Sequence, residues 1–242
     1  MLAFVEVDSQ GLAINADVQS AIDGLSYLGH DFRPITYNDL QIKNLTYGLQ
    51  NGVAIGSIRF MKKVFSLLNC QVDDIDFPEE LIGLQNRDIF RSTLGAIRKR
   101  NPSGFWIKPV STKAFDAFPY SKNSDLNIVS EFSDDTEIWI SPHEKIVSEW
   151  RCYIHNSELV WWGNYSGNFR IYPDEFFVKD LIRNWKTKPV ACVIDVGIKK
   201  SSEGLVDCLI ECGDFWAIGS YGLDSVKYAQ MCIDRYQEIV KS

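Results

Sequence analysis

The chain has 242 residues, 45% of them hydrophobic and 13% aromatic, enough to bury a sizeable core in one domain or two closely packed lobes and unlike a disordered chain. Its net charge of −7 argues against a protein whose main task is to bind duplex nucleic acid. No apolar run approaches the ~20 residues of a membrane span. The opening stretch, MLAFVEVDSQ, lacks the basic segment of a signal peptide. Six cysteines without a CxxC pair read as reduced, mostly buried thiols, so a cytoplasmic location is expected.

In chain order, Asp17 to Leu28 patterns as a helix with Asp17 as candidate N-cap, and Val53 to Ile58 as a strand running into a helix from Arg59 to Leu68. Together these predict a small α/β lobe over residues 1–82. Asp73 to Glu80, with Phe77-Pro78, reads as a connector.

Between Arg87 and Lys113 there are seven Lys or Arg and one acid, Asp88, so a basic island sits in an acidic protein. Such an island marks a local anion site or a solvated helix face. If Arg87 to Lys99 is helical, Arg87, Arg91 and Arg98 fall within about 40° of one another, beside an apolar stripe of Phe90, Leu94 and Ile97. That placement suits the rim of a cleft, or arginines lying over the edge of the core.

Gly104 to Val110 is a short apolar strand with Lys108 in it, and Phe105, Trp106 and Ile107 are expected to be buried. A lysine there must reach water or an anion; it is either an edge residue or a phosphate-binding ammonium. The following loop, with Lys113, could cover a phosphate. Val147 to Ile154 alternates cleanly, with Glu149 and Arg151 on one face, and His155-Asn156-Ser157 turns into the next strand. The acid and the base on that face are either a structural ion pair or part of a site. Val190 to Ile198 and Leu205 to Cys212 form a hairpin whose register places Asp195 opposite Glu211. Two facing carboxylates repel unless a cation lies between them, and Mg²⁺ would serve, with Asp214 close by in sequence. The alternative is a different register with solvent-facing acids. Asp224 to Val240 closes the chain as an amphipathic helix with Asp224 as N-cap. No Ser/His/Asp or Cys/His set is visible.

Seven stretches resemble, in order, the ATP-grasp superfamily, nearest to its compact bacterial and viral clade named for two arginines and a lysine. They are RDIFRST (87–93), FWIKPVSTKAF (105–115), IWIS (138–141), SEWRCY (148–153), NYSG (164–167), IDVG (194–197) and LIECGDFWAIGSYG (209–222). The resemblance implies an α+β fold in which two α+β lobes, 83–140 and 141–242, clasp ATP behind a small α/β N-terminal lobe. It implies an ATP- and Mg²⁺-dependent carboxylate–amine ligase that forms an acyl-phosphate and releases ADP. By that likeness Lys108 and Lys113 contact phosphate. Trp139, Ile140 and Ser141 form the hinge beside adenine, and Arg151 faces the phosphates with Glu149 orienting it. Asp195 and Glu211, with Asp214, hold the metal, two ions in the family pattern. Apart from the likeness, their shared helical face and their place before the Lys108 strand suggest that Arg87 and Arg91 bind the acceptor carboxylate or the γ-phosphate.

The family's Glu-x-Asn is here Glu211-Cys212-Gly213, and Ser141 is followed by Pro142-His143 where an acid is usual. Small-molecule or peptide carboxylates and amines are the expected partners. Ligation to a nucleic acid, a nucleotide-binding module that has lost catalysis, and phosphotransfer to a small molecule are the rival readings.

Overall fold

The computed structural model describes residues 1–42, 44–111, 114–202 and 204–242. Among these residues three sheets follow one another along the chain. The first is parallel: β1 (Leu2–Glu6) pairs with β2 (Asp31–Ile35) on one side and β3 (Val53–Ile55) on the other. Its crossovers are α1 (Ala16–Tyr27) and the short helices α2 (Asp39–Ile42) and α3 (Thr46–Asn51), and α4 (Ile58–Leu68) follows β3. Asn15, not Asp17, caps α1, because its side chain accepts from Val18 N at 2.9 Å. Asp17 is instead turned toward Ser220, whose backbone N–H and hydroxyl both donate to it.

The second sheet contains β4 (Phe90–Thr93), β5 (Phe105–Pro109), β6 (Phe118–Tyr120) and β7 (Glu137–Pro142), in the order β4-β7-β5-β6. The single helix expected over Arg87 to Lys99 is a strand followed by α5 (Leu94–Arg100), which Thr93 caps through Ala96 N. The β-branched and aromatic residues before Leu94 pair with β7 instead of continuing the helical stripe. The three arginines are therefore separated. Arg98 holds Asp134, Arg91 lies on an exposed strand beside Glu137 and over the Trp139 ring, and Arg87 is in the loop before β4. Trp106 is 43% exposed, not buried, since it shares a strand face with Lys108 while Ile107 faces the core.

The third sheet is built from β8 (Ile146–His155), β9 (Glu158–Gly167), β10 (Ala191–Ser201) and β11 (Gly204–Asp214), in the order β11-β10-β8-β9. Asn156 and Ser157 turn β8 into β9 with positive φ values of 52° and 67°. One sheet face packs on α6 (Glu175–Asn184) through Cys152, Ile194, Leu209, Cys212 and Trp185. The other, through Tyr153, Ala191 and Val193, joins the core of the first lobe. Helix α7 (Ser225–Lys241), capped by Asp224, lies in that same core with Tyr228, Ile233 and Tyr236 buried, each side chain worth about 1.5–3 kcal/mol of burial. No helix among the described residues is long and apolar enough to cross a membrane.

Candidate active site

The second and third sheets face each other across a cleft, and single residues from each meet in it. Lys108 on β5 donates to Glu211 on β11, and at 2.6 Å to Asp76. Asp76 belongs to no strand. Its segment runs along the free edge of β11, where Cys212 N donates to Asp76 O at 2.8 Å and Leu209 N to Gln85 O at 2.9 Å. The edge is thereby covered, and an acid from the connector enters the site.

Arg151, Asp195 and Glu211 occupy matching positions on β8, β10 and β11, so the expected pairing of Asp195 with Glu211 is the one formed. Within the protein a different side-chain cation holds each carboxylate. Arg151 donates to both oxygens of Asp195, at 2.8 and 2.7 Å. The guanidinium is further flanked by the rings of Tyr165, at 5.6 Å, and Tyr221, at 5.0 Å. Asp195, 2% exposed, orients Arg151; Glu149 does not. The Glu149 carboxylate accepts from Tyr165 and so fixes one of the two flanking rings.

Burial pushes the Asp76 carboxyl up to about 6, opposed by Lys108 and reinforced by Glu211. Burial alone would lower the Lys108 ammonium, but Glu211 and then Asp76 outweigh it and raise it. Burial likewise raises Asp195 against the pull of Arg151. Three acids and two bases thus share a partly desolvated site, with one oxygen of Asp76 buried and without a hydrogen bond.

The cleft has two chambers that meet at Lys108, Ala117 and Glu211. The first, about 430 Å³, is lined by Trp106, Trp139, Ile140, Ser141, Glu144 and Glu149 among others. Arg87 closes it by donating to Ser141 Oγ. Glu144 supplies an acid three residues beyond Ser141, held by Lys199 at 2.5 Å. The Arg87 Nε and the Glu144 Oε2 face each other as an ion pair at 3.8 Å, and neither they nor the Trp139 Nε1 has a hydrogen-bond partner, so a bound polar ring would satisfy such groups. The second chamber, about 420 Å³, contains Asp76, Arg151, Glu211 and Tyr221. Arg87 therefore lies at the Ser141 end, and Arg91 lies outside both chambers.

Asp214 lines the second chamber together with Glu211, but a cation of its own holds it. Both of its oxygens accept from Arg235 on α7, one at 2.7 Å. A Cβ at Gly213, where the family pattern has Asn, would lie 2.8 Å from the Ile218 Cδ1 and 2.9 Å from the Val193 Cγ2, so both side-chain ends would have to shift. Among the described residues no group of three metal-type ligands is preassembled. Even so, Asp76 and Glu211 converge on one ammonium, and their hard oxygen donors beside Asp195 fit Mg²⁺ arriving with a nucleotide. Lys113 lies outside the described residues.

Sequence reasoning passed over Asp76, Glu144, Trp106, Tyr165 and Tyr221. Tyr221 has φ +38°, an unusual conformation for a tyrosine, beside Gly222 at +82°. Its loop is fastened by Tyr153 donating to Gly219 O and Tyr228 to Ile218 O. Gly163 lets the loop approach β9, since a Cβ there would meet Tyr221 O at 2.7 Å. The cue for Tyr221 was its strain-prone Ser-Tyr-Gly context; Asp76 had only an acidic run.

Two sheets closing on a cleft lined by a strand lysine, a bidentate arginine and carboxylates define a nucleotide-clasping α+β architecture. The chain belongs to the ATP-grasp domain family of the clade named for two arginines and a lysine, the second family of that clade, whose model matches residues 84–231. Its fold is that of ATP-grasp ligases. A D-cycloserine synthetase has 11% identity and a TM-score of 0.58, with 98% of this chain and 100% of that chain covered. The D-alanine–D-alanine ligase from Bacillus anthracis complexed with ATP has 13% identity and a TM-score of 0.55, covering 99% and 98%. A macrocyclase from Microcystis aeruginosa bound with its precursor peptide has 11% identity and a TM-score of 0.55, covering 97% and 99%. No curated protein matches the sequence.

Proposed function

We propose that this protein is an ATP- and Mg²⁺-dependent carboxylate–amine ligase acting in the cytoplasm on small-molecule or peptide substrates. The observation that carries this is the Lys108 ammonium, which spans the cleft from β5 to Glu211 and Asp76, beside the Arg151–Asp195 pair. The adenine would occupy the first chamber, against Trp106 and the Trp139–Ser141 strand, with its phosphates running to Lys108.

In the reaction a carboxylate oxygen attacks the γ-phosphorus. The O–P bond forms as the bond to the β–γ bridging oxygen breaks, and ADP leaves with that electron pair. The amine nitrogen then attacks the acyl carbon, the C–O bond to phosphate breaks, and phosphate departs while the nitrogen gives up its proton. Lys108 and Arg151 stabilise the negative charge that develops on the transferring oxygens, and both are held by carboxylates before substrate arrives. Asp195 and Glu211, with Asp76, would hold Mg²⁺, which supplies further neutralisation of phosphate charge. Arg87 fixes the hinge end of the nucleotide through Ser141. D-Alanine and precursor peptides, which the named neighbours act on or bind, support this substrate class.

Gly213 in place of the family's Asn favours a second reading, a nucleotide-binding module without turnover, in which ATP stabilises the fold and no ADP is released. The test is Mg²⁺-dependent ADP release over a panel of amino acids, peptides and single-stranded nucleic acids, with Lys108→Ala and Glu211→Ala as controls. ADP formed only with carboxylate and amine together, and lost in both variants, supports the ligase. Equal ADP formation in the variants means that the site is misassigned.

A further inference from the structure

The first lobe carries a cavity of its own, about 390 Å³, within the range of small-molecule sites. It lies where β1 and β3 end. The chain leaves β1 for β2 on one side and returns to β3 on the other, so α1 and α4 diverge from neighbouring strand ends. In open parallel sheets, ligands bind at this kind of switch point.

Most polar atoms of the wall are already used. Tyr228 donates to Ile218 O, Tyr236 donates to Leu49 O, and the Asn15 side chain caps α1. Two donors remain. The Trp216 Nε1 is buried without an acceptor. Arg59 lies at the rim, 4.2 Å over the Tyr37 ring, and has no ion-pair partner among the described residues. The rest of the lining is largely apolar, including Val18, Met61 and Phe215. An apolar cavity with these donors at one side and the Asp17 carboxylate at another selects a ligand with an apolar body, an anionic or carbonyl end and a cationic group.

The cavity adjoins the reaction chamber: Asp17, Ile58, Trp216, Ile218 and Gly219 line both. The Asp17 carboxylate at this junction favours a cation passing beside it.

We propose that this cavity binds the amine substrate, an apolar amino acid or short peptide, with its carboxylate on Arg59, a second acceptor atom on Trp216, and its amine directed past Asp17 toward Arg151. The amine role rests on the ligase reading; the carboxylate-binding chemistry of the cavity stands without it.

The full chain is titrated by calorimetry with alanine, valine, leucine, phenylalanine and their homodipeptides, each as free acid and as C-terminal amide. Each titration is run with and without Mg²⁺ and a non-hydrolysable ATP analogue. The free acids are expected to bind at least ~10-fold tighter than the amides, as the pairing of a carboxylate with a guanidinium requires. Arg59→Ala abolishes that difference, Arg59→Lys restores part of it, and affinity for the ATP analogue is essentially unchanged in both. Equal binding of acid and amide, acid binding unchanged in Arg59→Ala, or no binding by any probe overturns the proposal. If acids bind through Arg59 but the ATP analogue does not bind, the ligase reading fails and the carboxylate pocket stands.

Discussion

Asp76 and Lys108 meet at 2.6 Å although one comes from a connector and the other from the middle of a strand in the next sheet. Burial of Asp76, which this pairing only partly offsets, makes stability depend on pH. The folded carboxyl titrates near 6, above its ordinary 3.8, because burial penalises the anion. The folded state therefore holds an extra proton between those values, and this group's contribution is fully favourable below about pH 4 and lost as pH rises through about 6. For a shift of roughly two units the loss is about 3 kcal/mol. In nucleotide-free protein, the stability of Asp76→Asn relative to wild type should therefore improve by about that amount between pH 4 and 7. Urea denaturation at both pH values measures it; parallel curves for the two proteins would show that Asp76 does not titrate in this range.

Asp195 and Asp214 are both buried acids paired with arginine, but Asp195 holds Arg151, which lines the second chamber, whereas Asp214 holds Arg235 on the last helix. Asp195→Ala strands the Arg151 guanidinium and should cost about 3–5 kcal/mol of stability together with ATP turnover. Asp214→Asn disturbs the Arg235 pairing instead, so melting temperature falls while ADP release by the folded fraction stays close to that of wild type. Comparable loss of turnover in Asp214→Asn would return that residue to the metal set.

Tyr221→Gly removes a ring from Arg151 and relieves a left-handed φ. Stability should stay within about 1 kcal/mol of wild type, since the missing ring and the relieved strain offset each other. Turnover should fall about tenfold, which corresponds to the strength of one cation–π interaction with the arginine. ADP-release assays on protein of verified melting temperature separate the two effects.

Lys108→Ala should lower ADP formation by about 10²–10³, as removal of a preorganised charged donor does. Trp106→Ala should chiefly raise the KM for ATP, because its exposed ring lines the first chamber and is remote from the Arg151–Asp195 pair. A fall in kcat at unchanged KM would place Trp106 nearer the chemistry than the base.

Local pattern was enough for the hairpin of β10 and β11. Alternation and a short polar turn fix which residues share a face, and so Asp195 opposite Glu211 could be read directly. The same is true of Arg151 on its strand and of the Asp224 cap of α7. Arg87 to Lys99 went the other way. Its helical stripe was real only from Leu94 onward, because pairing with β7 outweighs helical propensity before it. Asp17 looked like a cap by residue type, but Asn15 just before it took that role and left Asp17 to hold the 218–222 loop.

The sequence by itself determined the hairpin of β10 and β11, the faces of Arg151, Asp195 and Glu211, and the family to which they are similar, because side-chain alternation and motif order are local properties. The tertiary structure decided which cation holds which acid. Arg151 took Asp195, Lys108 took Glu211 and Asp76, and Arg235 took Asp214. Those pairings join residues from different strands and sheets, a connector and the last helix. They depend on which charges the fold buries together, and no spacing along the chain encodes that.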